Sequence, residues 1–371
     1  DEAHERSVQM DFLFLLLKSI VEKRKDIRII IMSATMDFEK FRNFYPQPAF
    51  NFGEIDVGSG TTHPITEHWL ARELKPREWE KETIKTIIDI LKTSEAGDIL
   101  VFVKSGGDGR RLCDTLKTEI KRNKLENINP FCTELESKSR NIIESDGQNR
   151  EKFALEQYLY MNHPEMNKDN PFTRKIVMAT NVAESSLTVQ GIVYVIETGL
   201  ELMDKYYPSE MARSLSDAFI AKSAVTQRKG RAGRTRPGIC YHLYTKIQFE
   251  KFPDYPIPDI QKTDLSDEFL DLLGMPDIHT LGDLNKFLDT LIDPPEDAFR
   301  QAGIRTLYGL GAITGTANDD TITELGLAMA KFRGLKPQYS KSLISAYYNG
   351  CRDDVLAIIM ILLKIDGRID G

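Results

Sequence analysis

No run of about 18 or more apolar residues occurs in the chain, so nothing in it carries the signature of a membrane-crossing helix. The longest apolar candidate, Phe12 to Leu17, is followed at once by Lys18 and fits a core helix. Cysteine is scarce. Cys113, Cys132, Cys240 and Cys351 lie far apart with no Cys-x-x-Cys spacing, which argues against a zinc site or a disulfide framework. A reducing, intracellular setting is the natural expectation, with nucleus, cytoplasm and virion left open. No segment reads as a secretory signal, and a chain that opens on Asp1-Glu2-Ala3-His4 is expected to lack its true N-terminus. Excess positive charge is absent as well. The 56 acidic and 49 basic residues leave a net charge of −7, which speaks against a surface coated for indiscriminate nucleic-acid binding but allows a basic groove on an acidic body. Missing too is any Gly-x-x-x-x-Gly-Lys-Ser/Thr loop of the kind that cradles β- and γ-phosphates.

At 371 residues the chain is too long for one compact core, and roughly two to four domains are expected. Short apolar runs alternate with helical stretches, the pattern of an α/β fold with a mainly parallel sheet. The strand candidates are Ile27 to Met32, Ile99 to Val103, Lys175 to Ala179, Ile192 to Ile196 and Ile239 to Tyr244. Ile84, Ile87, Ile88 and Leu91 recur at i, i+3, i+4 and i+7, so the segment from Trp79 to Lys92 is predicted to be an amphipathic helix. From about Tyr255 the pattern turns helical, with Leu265, Phe269, Leu272 and Leu273 on one face. Residues 145–174 are polar and aperiodic, and read as an insertion with helical character around Phe153 to Tyr160.

The densest chemistry lies in Gln227-Arg228-Lys229-Gly230-Arg231-Ala232-Gly233-Arg234. Four cations and two glycines in eight residues make a poor core segment and a good anion clamp, because guanidinium forks pair with phosphate oxygens and glycine admits close backbone approach. Alone, the octamer could equally be a solvated basic loop. It is accompanied by Asp1-Glu2-Ala3-His4, by Ser33-Ala34-Thr35, and by Ala179-Thr180-Asn181-Val182-Ala183-Glu184-Ser185-Ser186-Leu187-Thr188. In this order the four segments resemble motifs II, III, V and VI of the DEAH-box helicases, nucleic-acid-dependent NTPases of helicase superfamily 2, and the ordered conjunction is far more specific than any one of them.

The resemblance covers most of the chain. It implies an α/β fold of RecA-like parallel-sheet lobes: the C-terminal part of a first lobe (residues 1–66), a second lobe (67–254) holding the insertion 145–174, a mostly helical winged-helix domain (255–316) and the start of a helical ratchet domain (317–371). It further implies ATP or another NTP with Mg²⁺ as cofactors. Glu2, Gln227, Arg231 and Arg234 become the expected catalytic residues, Glu2 as base toward the attacking water, Gln227 orienting that water and the two arginines acting as fingers. Asp1 is the expected metal-holding residue, and Asp1, Thr188, Gln190 and Gly230 the expected nucleotide contacts. His4, Ser33 and Thr35 would couple hydrolysis to strand movement, while Thr180, Asn181, Lys104 and Ser105 would meet the nucleic-acid backbone and Glu184 and Ser185 fix their loop. Gly199 to Ala224 would hold a strand-separating hairpin. Arg228 is read as structural. RNA, single-stranded or partly duplex, is the implied substrate, bound with little base specificity by a monomer that moves 3′ to 5′. An activating protein partner on the C-terminal domains and no membrane are expected.

Several positions depart from the family pattern. Lys104-Ser105-Gly106-Gly107-Asp108-Gly109 replaces the usual Thr-Gly-Gln-Glu-Glu-Ile, Gln190 stands where an Asp is common, and the base-stacking aromatic usual near Ile143 has only Phe153 as a substitute. These differences point to a divergent member, with a Lys-containing motif VI somewhat like that of viral relatives. Without a phosphate-binding loop, the chain as written is not expected to hydrolyse ATP by itself. Two alternatives stay open: a catalytically inactive scaffold binding nucleic acid or protein, and a viral NTPase acting on DNA.

Overall fold

The computed structural model describes residues 1–46, 49–56, 58, 63–94, 96–135, 154–155, 172–184 and 187–369. Its centre is a six-stranded sheet in which every pairing is parallel, in the order β1-β8-β5-β2-β4-β3. The strands are β1 (Ile65–Trp69), β2 (Asp98–Phe102), β3 (Pro130–Leu135), β4 (Arg174–Ala179), β5 (Ile192–Glu197) and β8 (Gly238–His242), while β6 (Leu200–Tyr207) and β7 (Ala212–Phe219) form a separate antiparallel hairpin. Strands buried on both faces read as unbroken apolar runs. That is why β2, β4 and β5, each fully buried, stand where the sequence puts them. Helix α3 (Trp79–Thr93) turns Ile84, Ile87, Ile88 and Leu91 into the core, and α4 (Gly106–Arg122) adds Leu112 and Leu116 beside it.

The expected strand Ile27 to Met32 is not one. Among the described residues no strand pairs with it, so its backbone groups have no ladder; Ile30 is 79% exposed and Met32 51%. A single bond, Ala3 N–H to the Met32 carbonyl at 3.0 Å, holds the segment against the Asp1–His4 turn. Ahead of it runs α1 (Val8–Lys23), capped by Ser7 and burying Phe14 and Leu15, and after it α2 (Phe38–Phe44), capped by Asp37.

The reading of the cysteines also needs correction, because Cys113 and Cys132 are joined in a disulfide. Cys113 lies on α4 and Cys132 on β3, and packing of that helix on that strand brings their Cα atoms to 5.6 Å. A spacing rule built for small disulfide scaffolds cannot see a single pair made by tertiary packing. Most of the insertion, including Phe153, lies outside the described residues, as does Ile143 just before it. Ala154 and Leu155 are described and helical: Ala154 accepts from the buried Lys175 ammonium at 2.7 Å and the Leu155 carbonyl from Gln190 N–H at 2.9 Å.

Beyond a short α5 (Lys222–Lys229) and α6 (Lys246–Glu250), the chain is helical: α7 (Ser266–Leu273), α8 (Leu281–Asp289), α9 (Asp297–Gly309), α10 (Glu324–Met329), α11 (Pro337–Tyr348) and α12 (Arg352–Ile369). Two antiparallel bridges, Thr280 with Thr321 and Ile313 with Ile322, add a small wing. Phe14, Phe41 and Phe44 of the N-terminal segment share one apolar core with Leu265, Phe269, Leu284 and Leu307, and Phe12 meets Phe287 edge to face at 5.5 Å. The first segment therefore packs on the C-terminal helices, while the sheet lobe keeps its own core.

Candidate active site

Parallel α/β sheets present their ligand crevice beyond the carboxyl ends of the strands, and here Lys104 follows β2, Thr180 follows β4 and Thr198 follows β5. In the N-terminal segment the short turn Ala3–Glu5, with Ala3 buried, carries His4. His4 Nδ1 lies 3.0 Å from Ser33 Oγ. The Ser33 hydroxyl donates onward to the Thr35 carbonyl at 2.7 Å, so its oxygen accepts from His4 and the proton sits on Nδ1. Glu2 Oε2, 3.5 Å from the same nitrogen, favours that tautomer.

Helix α5 carries motif VI toward this turn. Gln227 Nε2 donates to Thr35 Oγ1 at 2.9 Å, joining the two sides directly, while its Oε1 is buried and has no hydrogen-bond partner. One turn on, Arg231 is buried and donates to the Leu187 carbonyl at 2.9 Å and to the Glu184 carbonyl. Burial and repulsion from Arg234 hold its pKa down to about 10 against the attraction of Glu184 and Glu2. Arg234 is exposed and donates to Thr188 Oγ1 at 2.7 Å. Motif VI is thus bonded to Thr35 through Gln227, to the motif V backbone through Arg231 and to Thr188 through Arg234.

Arg228 is held by carboxylates. It is 1% exposed, donates to Glu184 at 2.9 Å and to Glu197 at 3.2 Å, and stacks over Phe102 with 4.8 Å to the ring centre. Burial works against its charge, yet the two carboxylates hold its pKa above the usual arginine range. Glu197 also accepts the Gly199 N–H at 2.7 Å, tying the hairpin base to motif VI. Glu197 escaped the sequence reading, although a carboxylate ending an apolar strand was a usable signal. Gly233 approaches backbone, as glycine allows, but the backbone is that of His63: a Cβ there would sit 2.8 Å from the His63 carbonyl oxygen.

The remaining expected residues are scattered around this centre. Asp1 is exposed, with Oδ1 accepting the Glu2 N–H at 2.9 Å. Gly230 ends α5, and Gln190 is exposed on the loop held by Leu155. Asn181 is exposed and Thr180 half-buried at the start of the motif V turn. Ser105 is the N-cap of α4, accepting from Asp108 N–H at 3.2 Å, and Lys104 pairs with Asp217 of the hairpin at 2.7 Å. Ser185 lies outside the described residues. A cavity of about 470 Å³ opens beside Gln227, lined by Thr35, Met36, Ser223, Thr226 and Tyr255 among others.

No family model matches the chain. Among curated proteins it is 30% identical, over its whole length, to a protein of Acanthamoeba polyphaga mimivirus named as an ATP-dependent RNA helicase, covering 50% of that relative. It is 32% identical over 98% of its length to the Caenorhabditis elegans homolog of the ATP-dependent RNA helicase DHX35, covering 46% of it. The chain thus spans about half the length of the curated relatives it matches. Among solved structures, the DExH-box NTPase HrpB of Escherichia coli aligns with 93% of the chain and 38% of its own at a TM-score of 0.70 and 27% identity.

Proposed function

Because the chain belongs to the DEAH-box family of helicases, we propose that it supplies half of an NTP site and an RNA path to an ATP-dependent RNA helicase that moves 3′ to 5′ and remodels duplexes or ribonucleoproteins. The observation that carries this reading is the hydrogen bond from Gln227 of motif VI to Thr35 of motif III at 2.9 Å, on the side where Glu2 and Ser33 flank His4. In the reaction, the oxygen of a water attacks the γ-phosphorus while the bond to the β,γ-bridging oxygen breaks. Glu2 takes the water's proton, the partnerless Oε1 of Gln227 offers the water an acceptor, and Arg231 and Arg234 face the charge on the transferred phosphoryl group. Asp1, exposed and with Oδ1 on the Glu2 N–H, would hold Mg²⁺, an ion that keeps most of its waters and accepts few protein ligands. Bound there, the ion would neutralise the β- and γ-oxygens.

We assign residues 1–66 and 67–254 to the two RecA-like lobes, with β1 crossing that boundary into the sheet of the second, 255–316 to a winged helix and 317–371 to the ratchet domain, in a protein that acts as a monomer inside the cell. Thr180 and Asn181 lie at the strand ends where an RNA backbone would run. The test uses the full-length protein. Glu2→Gln is expected to retain nucleotide binding and abolish turnover, and single-stranded RNA is expected to stimulate the wild type more than DNA of the same sequence, since only RNA offers the 2′-hydroxyl. Unchanged turnover in the variant sinks the reading.

A further inference from the structure

Two residues beyond His4, Arg6 leaves the catalytic turn with φ 46°, and Glu2 enters it with φ 55°. Both lie in the left-handed region that side chains with a Cβ disfavour, so something outside the turn has to hold it. The surroundings of Arg6 supply that restraint. Its Nε and Nη2 meet the two oxygens of Asp11 at 2.6 and 3.1 Å, its Nη2 also donates to Asp293 at 2.7 Å, and its carbonyl accepts the Asp259 N–H at 3.1 Å. Asp11 lies on α1 and is fully buried. Asp293 is 287 residues away in sequence, between α8 and α9, and its other oxygen takes the Lys40 ammonium at 2.8 Å.

We infer that Asp293 is a positioning residue for the Asp1–His4 turn: a carboxylate of the C-terminal helical region that, through Arg6, fixes the orientation of Glu2 and His4. The inference rests on the hydrolytic role proposed for Glu2. Its physical content is that the fork to Asp11 and the single charged hydrogen bond to the half-buried Asp293 hold the guanidinium from two sides, resisting its rotation and therefore that of the left-handed backbone that carries it. The C-terminal helices then do more than extend the molecule. Whatever binds or displaces them acts on the hydrolytic carboxylate two bonds of contact away. Lys40 makes a useful contrast, since it joins the same Asp293 to α2 without touching the turn.

The experiment compares Asp293→Asn with Lys40→Met. In the full-length protein, Asp293→Asn is expected to lower kcat for NTP hydrolysis by about 10- to 100-fold, the scale of a small misplacement of a reacting group, with the nucleotide KM changed less than about twofold. Asp293→Glu is expected to recover part of kcat, and Lys40→Met to leave both constants near wild type. Hydrogen exchange on the chain itself supplies a readout independent of hydrolysis. The Ala3 and Glu5 amides, which donate to Met32 and Glu2, are expected to exchange about tenfold faster in Asp293→Asn, while the Phe269 and Leu284 amides keep their rates. Unchanged exchange at Ala3 and Glu5 overturns the inference. So does equal acceleration at all four amides, which would make Asp293 a mere tether between domains. A wild-type protein that hydrolyses no NTP would defeat the proposed function, and the exchange arm would still decide whether Asp293 restrains the turn.

Discussion

Gln227 donates to Thr35 across 2.9 Å of space and 192 residues of sequence, from motif VI on one side of the cleft to motif III on the other. Thr35→Val keeps the shape and removes the acceptor. Because the Gln227 amide would then lose its partner and swing, turnover is expected to fall by about tenfold, whereas folding stability changes by only about 1 kcal/mol, the net worth of one hydrogen bond. Steady-state hydrolysis set beside urea unfolding checks both halves.

Arg231 donates to the carbonyls of Leu187 and Glu184, which fix the direction of its guanidinium. The proposed function has that guanidinium face the transferred phosphoryl group. Arg231→Ala is expected to reduce kcat by about 10³- to 10⁵-fold, the range for an arginine finger, with a much smaller change in KM. A variant that lost affinity and kept kcat would move Arg231 out of the reacting centre.

Arg228 is a structural cation, and its removal should register in stability. Arg228→Met leaves the fully buried Glu197 with the Gly199 N–H but without its counter-charge, a change expected to cost about 3 to 5 kcal/mol. Adding Glu197→Gln should recover much of that loss. Chemical denaturation of the two variants measures the difference, and equal stability of single and double variants would contradict the pairing.

His242 is sealed between Trp69, stacked at 3.8 Å, and the sheet, with Nε2 on Glu67 at 2.9 Å and Nδ1 on the Tyr244 hydroxyl at 3.0 Å. Burial, only partly offset by Glu67, holds its pKa down to about 4 from the ordinary 6.5. Between those two pH values the unfolded chain binds a proton that the folded imidazole refuses, so stability is intact above pH 6.5 and declines as the pH falls toward 4. The full loss is about 3 kcal/mol. His242→Gln should flatten this part of the stability–pH curve, as urea midpoints at several pH values would reveal.

The central strands could be read from the sequence because burial on both faces demands continuous apolar runs, and Ile99 to Phe102 or Ile192 to Ile196 permit little else. The edges could not. In β1, Thr66, Glu67 and His68 are all exposed, and β3 begins with proline and carries Thr133 and Glu134, so neither has the composition that announces a strand. Ile27 to Met32 fails in the opposite direction, since its apolar side chains promise a strand but pairing needs a neighbour. At the site, the spacing of Gln227, Arg231 and Arg234 was legible as chemistry, and Glu184 was named with its loop, whereas the pairing of Glu184 and the buried Glu197 with Arg228 is made by tertiary packing. Cys113 and Cys132 belong to the same class, being neighbours through the packing of α4 on β3.

The hairpin β6–β7 is fastened at both ends. At its base Gly199 N–H is held by Glu197; near its tip Tyr206 N–H reaches the Lys262 carbonyl at 3.1 Å and Arg305 the Pro208 carbonyl at 3.2 Å. Eight residues of strand at roughly 3.3 Å each make an arm about 26 Å long, so a tilt of only about 5° at the base sweeps the far end through about 2 Å. That travel is enough to break the Arg305 contact. The hairpin thus works as a lever arm between the sheet lobe and α9, and a change of tilt at its base would register at the Arg305 contact.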